Sequence, residues 1–516
     1  MEVWQYLEIL RKSEKTWFFR KEKNQEEKLI ALNKISEIGY PSLIVNLIPF
    51  VKNQSKEIRV GTIQTIKVLF KKLKGKKAYY DSLKHCPISK NDITFFETEF
   101  NKEDFSILMK ISSLNRNGYV REKAVLKLGE FQTENVLPFI IFRLADWVPN
   151  VRNTAKQELR KFIKQENHQE LINNLSLFHW LHKVERTDLL KTYKEVIDFL
   201  VISCRIKTIK SFPNTNDKER RILAKELSER IQSDDEINLL INDKHFLIRL
   251  LSLNHFDRLT DNQKKELLND KSARVRQRAL YEYKGDKAFE SLLVNYLADK
   301  SGSIRHLARF YLKEAGIDFK EFYANNLKNN RQVIGSMLGL LDIEAKDCES
   351  YLKPQLQSDK VRYIKTAFYV LSNLNPSEVL EFAKSNLFTE RIGLRNQIIE
   401  YFGKNRNQDI LINVRDNYSN ANTEIKLSIL KLFSRIGGYS SFPDLLIGTI
   451  DKSELVRKQA RLYVQKWKNE AKSLFCKPTI DEQERAIKVF NFVNEAHIEK
   501  KYFNNNPVEG LDFYIK

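Results

Sequence analysis

The side chains here whose types and spacing could do chemistry are a pair of imidazoles, an Asp-Trp…Arg grouping, scattered cysteines and a stripe of cations. His179-Trp180-Leu181-His182 places two imidazoles at i and i+3, on one face of a helix, with His168 and Glu185 nearby in sequence. That arrangement could begin a metal site. No further ligand is fixed by spacing and no HExxH occurs, so packing or surface placement is the expectation. Cys86, Cys204, Cys348 and Cys476 form no CxxC. They suggest neither a disulfide framework nor a nucleophile, and they fit a reducing compartment. Neither GxxxxGK[ST] nor GxGxxG is present, so nucleotide chemistry has no support and no cofactor is expected.

Most of the conspicuous charged residues are periodic. An Asp or Asn is followed six residues later by a basic residue, itself preceded by Val, Ile or Leu and followed three residues on by Ala. The clear copies are Asp146–Arg152–Ala155, Asp270–Arg276–Ala279, Asp299–Arg305–Ala308 and Asp451–Arg457–Ala460. Weaker ones run through Asn53–Arg59, Asn115–Arg121, Asp243–Arg249 and Asn420–Lys426, and Arg362 and Arg395 keep only the apolar–Arg core. Successive basic residues lie about 30 apart: 31 from 121 to 152, 29 from 276 to 305, 31 from 426 to 457. Degenerate units around Arg186, Arg221 and Arg331 would fill the longer gaps. Such a period is the mark of a repeat array, and residues recurring at it are expected to be structural.

Each unit reads as two helices. A short apolar stretch precedes the Asp, as in Leu137 to Phe142, Phe289 to Leu297 and Phe442 to Ile447. Pro138 and Pro443 are placed near the starts of these stretches, where a missing N–H is tolerated. The Asp is positioned to cap the second, amphipathic helix, such as Val151 to Ile163. Gly129, Gly403 and Gly437-Gly438 mark second-helix ends. The fold predicted is all-α: an α-solenoid of tandem antiparallel helix pairs. Residues 1–52 form an N-terminal helical cap and first hairpin. The repeats occupy 53–493, degenerate around 160–245 and 315–360, and 494–516 form an irregular tail. Such an array would be a curved rod with the second helices lining its concave face.

Leu128-Gly129-Glu130, Val136-Leu137-Pro138 to Ala145-Asp146 and Val151-Arg152-Asn153-Thr154-Ala155 resemble a HEAT-like repeat of the phycobilisome-lyase type. Ile436-Gly437-Gly438 to Asp451 and Val456-Arg457 is similar. The resemblance implies that Asp146, Arg152, Asp270, Arg276, Asp299, Arg305, Asp451 and Arg457 form a ladder between adjacent repeats. HEAT-like folds also include alkylpurine DNA glycosylases, which use Trp, Asp and Arg around a DNA backbone. Asp146, Trp147 and Arg152 invite that comparison, although the ladder already accounts for the Asp and Arg. Bilin lyases share the repeat type, but nothing else here points to a bilin.

The balance of 88 basic against 67 acidic residues gives +21, which attracts polyanions. A lysine-rich solvated surface explains it equally, because the charge is spread along the chain. Beyond the ladder, Lys156, Arg160, Lys284, Arg309, Lys313 and Arg461 fall at +4 or +8 from the ladder Arg, on one helical face, and are candidate polyanion contacts. No signal peptide or apolar span of about 18 residues is apparent, so no membrane insertion is expected and the cytoplasm is the expected location. The leading expectation is a non-enzymatic scaffold holding a protein partner on the concave surface. Nucleic-acid binding is the alternative and a glycosylase-like enzyme a remote one. At the ends, Trp4, Tyr6, Leu7, Ile9, Leu10, Trp17, Phe18 and Phe19 are expected to cover the first repeat. The segment with Leu511, Phe513, Tyr514 and Ile515 would fold back over the last hairpin or serve as a docking peptide.

Overall fold

The structure is a computed structural model that describes residues 2–12, 18–131, 135–185, 188–405, 409–473 and 477–515. Trp17, Arg186 and Cys476 lie outside the described residues, as do the side chains of Phe18 and Phe19. Every regular element among the described residues is helical, and none is a strand. Tandem helix pairs build an all-α solenoid in two compact units, Met1–Glu282 and Tyr283–Lys516.

In the first unit, α1 (Val3–Arg11) lies on α2 (Phe18–Ile38), which lies on α3 (Lys56–Lys71). Leu7 and Leu10 are buried, Tyr6 and Ile9 half-buried and Trp4 exposed. The best-formed repeats follow with α4 (Gly118–Leu128), α5 (Leu137–Leu144) and α6 (Pro149–Phe162). α6 buries Val151, Ala155, Leu159 and Phe162, an i, i+4, i+8, i+11 stripe packed on both α4 and α5. α5 is short and apolar because it is covered on nearly all sides: Leu137 and Phe139 to Leu144 are buried. Its Pro138 sits in the first turn. Gly129 ends α4 where Glu158 of α6 crosses it; a Cβ there would lie 1.6 Å from Glu158 Oε2.

Later in this unit come α7 (Asp217–Ser228), α8 (Phe246–Ser252) and α9 (Ala273–Glu282). The stretch before them departs from the regular repeat. Leu190–Asp198 runs into a π turn at Phe199–Ser203 before helix resumes at Arg205–Ser211.

In the second unit, the helices include α10 (Gly302–Tyr311), α11 (Val333–Asp342), α12 (Val361–Leu374), α13 (Ile392–Lys404), α14 (Ile410–Tyr418), α15 (Thr423–Ile436), α16 (Gly438–Gly448), α17 (Glu454–Ala471) and α18 (Ile480–Lys500). The second helices α11, α12, α13, α15 and α17 lie side by side in chain order. One expectation is corrected here. Pro443 lies inside α16 rather than near its start, because Gly437 (φ 66°) ends α15 and α16 begins at the next residue. Gly403 lies in the last turn of α13, one residue before its end at Lys404.

Helix α18 continues past residue 493 to Lys500. The segment beyond it packs back on the unit. Val508, Leu511 and Ile515 are buried, Lys468 Nζ donates to Glu509 O at 3.1 Å, and Gln483 Nε2 donates to Ile515 O at 3.1 Å. Phe513 is exposed.

Candidate functional site

The Asp-x5-Arg spacing has a local cause. Six residues bring the second helix's first turn back over the loop that starts it, so the guanidinium meets the loop's own carbonyls. Arg121 Nη1 donates to Asn115 O and Arg116 O, both at 2.9 Å, and Arg249 Nη1 to Asp243 O at 2.7 Å. Arg152, Arg276, Arg305 and Arg457 donate likewise to the main-chain oxygens of Asp146, Asp270, Asp299 and Asp451, at 2.8, 2.6, 2.9 and 2.8 Å. Each of these Asp side chains instead accepts an N–H two residues on: Val148, Ser272, Ser301 and Ser453 at 2.9, 2.6, 2.7 and 2.8 Å.

In some units the remaining guanidinium nitrogens reach the next repeat. Arg121 Nε and Nη2 hold both oxygens of Asp146 at 2.8 and 2.7 Å, and Arg249 holds Asp270 at 2.6 and 2.8 Å. Lys426 reaches Asp451 at 2.8 Å. Several rungs differ from the pattern: Arg59 reaches Glu99 at 3.1 Å, and Arg152 and Arg457 meet no carboxylate among the described residues. Arg305 pairs with Asp342, at the end of α11, because the unit after it lacks a loop Asp. At Arg395, Ser428 and Glu424 stand in for the carboxylate. In the degenerate stretch Arg220, not Arg221, takes the ladder position. Arg220 is buried, donates to Thr215 O at 2.6 Å and to Asp243 at 2.8 Å, while Arg221 is exposed.

Asp146 is surrounded by Arg121 and Arg143 and is itself buried. Burial alone would push its carboxyl up. The Arg121 hydrogen bonds, the Val148 N–H and the Arg143 charge outweigh that and hold it below the ordinary carboxylate range. Trp147 beside it is 74% exposed, but Asp146 faces the two guanidiniums and Arg152 is tied to the carbonyls of Asp146 and Trp147. A glycosylase-like use of these three residues finds the Asp already committed.

The candidate polyanion contacts do not form one stripe. Lys156 is half-buried on α6, and the exposed Arg160 lies 3.4 Å from Glu195. Arg309 is corrected to a structural residue: its guanidinium donates to Tyr323 Oη and to Asp342, both at 3.0 Å. Lys284 and Lys313 are exposed but lie beyond the ends of α9 and α10, because those helices stop short ahead of Gly285 (φ 98°) and Gly316 (φ 70°). Arg461 stacks on Phe503, 4.8 Å from its ring centre.

The two imidazoles pack on an aromatic residue. His182 lies 4.0 Å from the Tyr193 ring and 5.2 Å from the His179 ring, while His168 Nε2 faces Ser211 Oγ at 3.3 Å. Burial, then the His182 charge, lowers the pKa of His179. No group of three or more His, Cys, Asp or Glu able to hold a metal occurs among the described residues. His85 precedes Cys86 in the chain, but the thiol is buried and pushed up to about 12.

A concave site does occur on the second helices of the second unit. A cavity of about 670 Å³ is lined by Tyr369 and Asn373 of α12, Asn396, Gln397 and Glu400 of α13, and Lys431 of α15, with Phe368 and Tyr401 behind. A smaller one of about 270 Å³ shares Tyr369 and Gln397 with it and extends to Arg362 and Lys365 of α12 and Ile334 and Leu338 of α11. The walls are stitched from helix to helix. Lys404 Nζ donates to Asn373 Oδ1 at 3.3 Å, and Lys431 Nζ to Asn396 Oδ1 at 2.8 Å. Glu400 is held by Arg435 at 2.9 Å and Lys431 at 3.6 Å. Periodicity did not single out these residues, since they occupy the outward face of the helices. A sequence signal was present in the amide and aromatic residues at 369, 373, 396, 397 and 401.

No protein-family model matches the chain, and no curated protein matches it. Solved structures similar to it include Kap121p, 11% identical over all of this chain and 66% of that one, with a TM-score of 0.34. Kap121p bound to RanGTP is 13% identical over 98% of this chain and 65% of that one, at a TM-score of 0.28. A structure of Kap95p with RanGDP is 10% identical over 99% and 69%, at 0.27. The chain thus spans just under two thirds of the Kap121p chain. No helix among the described residues is long and apolar enough to cross a membrane.

Proposed function

We propose that this chain is a non-enzymatic scaffold that holds a protein partner against the outward faces of second helices in its second unit. One observation carries the reading: the 670 Å³ cavity is walled by α12, α13 and α15, three successive second helices, and is lined by the exposed ring of Tyr369 and the amides of Asn373, Asn396 and Gln397. A cleft of that size, mixed apolar and polar, is what a specific ligand fits. Repeat stacking positions it without any catalytic group, and fold alone assigns no reaction.

The test is affinity capture of the full chain from its native cells with nuclease treatment. A stoichiometric protein that is retained by the wild type and lost by Tyr369→Ala with Asn373→Ala is the expected result. Capture of nucleic acid alone would overturn the reading in favour of the basic second-helix faces, with Lys156 and Arg160 the residues to reverse first.

A further inference from the structure

We infer that the groove formed by the two joined cavities takes an extended acidic segment of a partner protein, with an aromatic side chain of that segment seated in the larger cavity. The inference rests on the scaffold reading above and adds the chemistry of the occupant.

Charge is the first argument. Arg362, Lys365 and Lys404 line the groove, and none has a carboxylate partner among the described residues. The one carboxylate in the wall, Glu400, is already engaged by Arg435 and Lys431. The ladder arginines Arg305 and Arg395 of the same unit are met by Asp342 and Glu424, whereas these three cations of the groove are met by no carboxylate among the described residues. Lys365 is also given room. Its Nζ lies where α13 carries Gly393, and a Cβ at that glycine would be 2.9 Å from it. Opposite charge on the occupant completes what the chain leaves open.

The amides are the second argument. Asn396 Oδ1 is occupied by Lys431, while its amide nitrogen donates to no described residue. The adjacent Gln397 lines both cavities, and its Oε1 is shielded from water with no hydrogen-bond donor. The Asn396 donor matches a peptide C=O, and a turn of the Gln397 side chain brings its unpaired Oε1 to a peptide N–H. A phosphodiester backbone carries no donor and satisfies only the first.

The aromatic wall is the third argument. Tyr369 is 46% exposed at the rim shared by the cavities, and Phe368 and Tyr401 stand edge to face behind it, 5.7 Å between ring centres. The exposed face of the Tyr369 ring is open to a planar side chain in the offset or edge-on geometry that aromatic pairs favour.

The test is selection of short peptides from a random displayed library on the purified full chain, followed by titration of the synthetic winners. The same titration is run with a poly-dT oligonucleotide. Selected peptides should carry several Asp or Glu around a Phe, Tyr or Trp. Lys365→Glu with Lys404→Glu should weaken them by about 10-fold or more, as should Tyr369→Ala. Raised salt should weaken binding as well. All three side chains are at least partly exposed, and melting curves of the variants verify folding. Where the double variant does not fold, Arg362→Glu replaces it. Selection of basic or neutral peptides, unchanged affinity in the folded variants, or binding of the oligonucleotide alone would overturn the inference. A partner captured from cells that ignores Lys365→Glu and Lys404→Glu but is lost with Tyr369→Ala and Asn373→Ala would overturn the acidic segment and leave the scaffold standing.

Discussion

Arg121 and Asp146 form a two-point ion pair between consecutive repeats, with both partners buried and with Arg121 Nη1 simultaneously closing the loop that begins its own helix. One side chain thus fixes the local turn and the packing of the next repeat. Removing the carboxylate leaves the buried Arg121 and Arg143 facing each other without an anion. Asp146→Ala is expected to cost about 3–5 kcal/mol, the loss seen when one partner of a buried pair is deleted. Thermal or urea unfolding of the full chain followed by circular dichroism measures it; a loss below about 1 kcal/mol would rule out the ladder as a source of stability.

The same pairs set an acid limit. Asp146 and Glu236 are each pushed up by burial and pulled further down by arginine, Arg121 for the first and Arg205 for the second, so both carboxyls end below their ordinary values. A folded-state pKa below the unfolded one contributes stability that is present above the unfolded value, about 4, and is lost as pH falls through the folded one. Melting temperature should therefore hold through neutral pH and fall steeply below about pH 4. Glu236→Gln should be less stable at neutral pH and show a shallower fall, and an equally steep one would contradict the assignment.

Two arginines that look alike in sequence should behave differently. Arg309 donates to Asp342 and Tyr323, whereas Arg160 is exposed beside Glu195. Arg309→Ala is expected to destabilise by about 1–3 kcal/mol, and Arg160→Ala by no more than about 0.5 kcal/mol. Parallel denaturant curves compare them directly.

Deleting residues 504–516 removes the buried Val508, Leu511 and Ile515 from the second unit and uncovers the apolar surface beneath them. Each buried aliphatic side chain is worth about 1.5–3 kcal/mol. The expected outcome is a lower melting temperature with the first unit unaffected. Unchanged stability with loss of a partner would instead identify the segment as a docking peptide.

Gly339 marks where packing overrides helix propensity. A Cβ there would lie 2.3 Å from the ring of Tyr323, whose hydroxyl donates to Leu297 O at 3.0 Å. Gly339→Ala should gain helix propensity and still destabilise, by about 1–3 kcal/mol, because the ring must move. A stabilised variant would show that the ring yields freely.

The sequence by itself determined the repeat. An Asp, an Arg six residues on and an Ala three further are local requirements of one turn and one helix, so they recur wherever that turn recurs and can be read without knowing what lies alongside. Helix formation, the short apolar first helix of each pair and the capping role of the loop Asp are legible for the same reason. Tertiary structure decided what each cation does. Arg309 and Arg461 occupy equivalent places, four residues after their ladder arginines, and only the groups brought in by other segments separate a cation held by Asp342 and Tyr323 from one stacked on Phe503. Where the motif decays, the ladder position passes to Arg220 rather than Arg221, a one-residue shift that turns a helical side chain by about 100° and that only burial reveals. The groove is likewise invisible in any one repeat. Its walls come from residues about 30 apart that are unremarkable singly, and only side-by-side stacking of α12, α13 and α15 sets Tyr369, Asn396, Gln397 and Lys431 around one cavity.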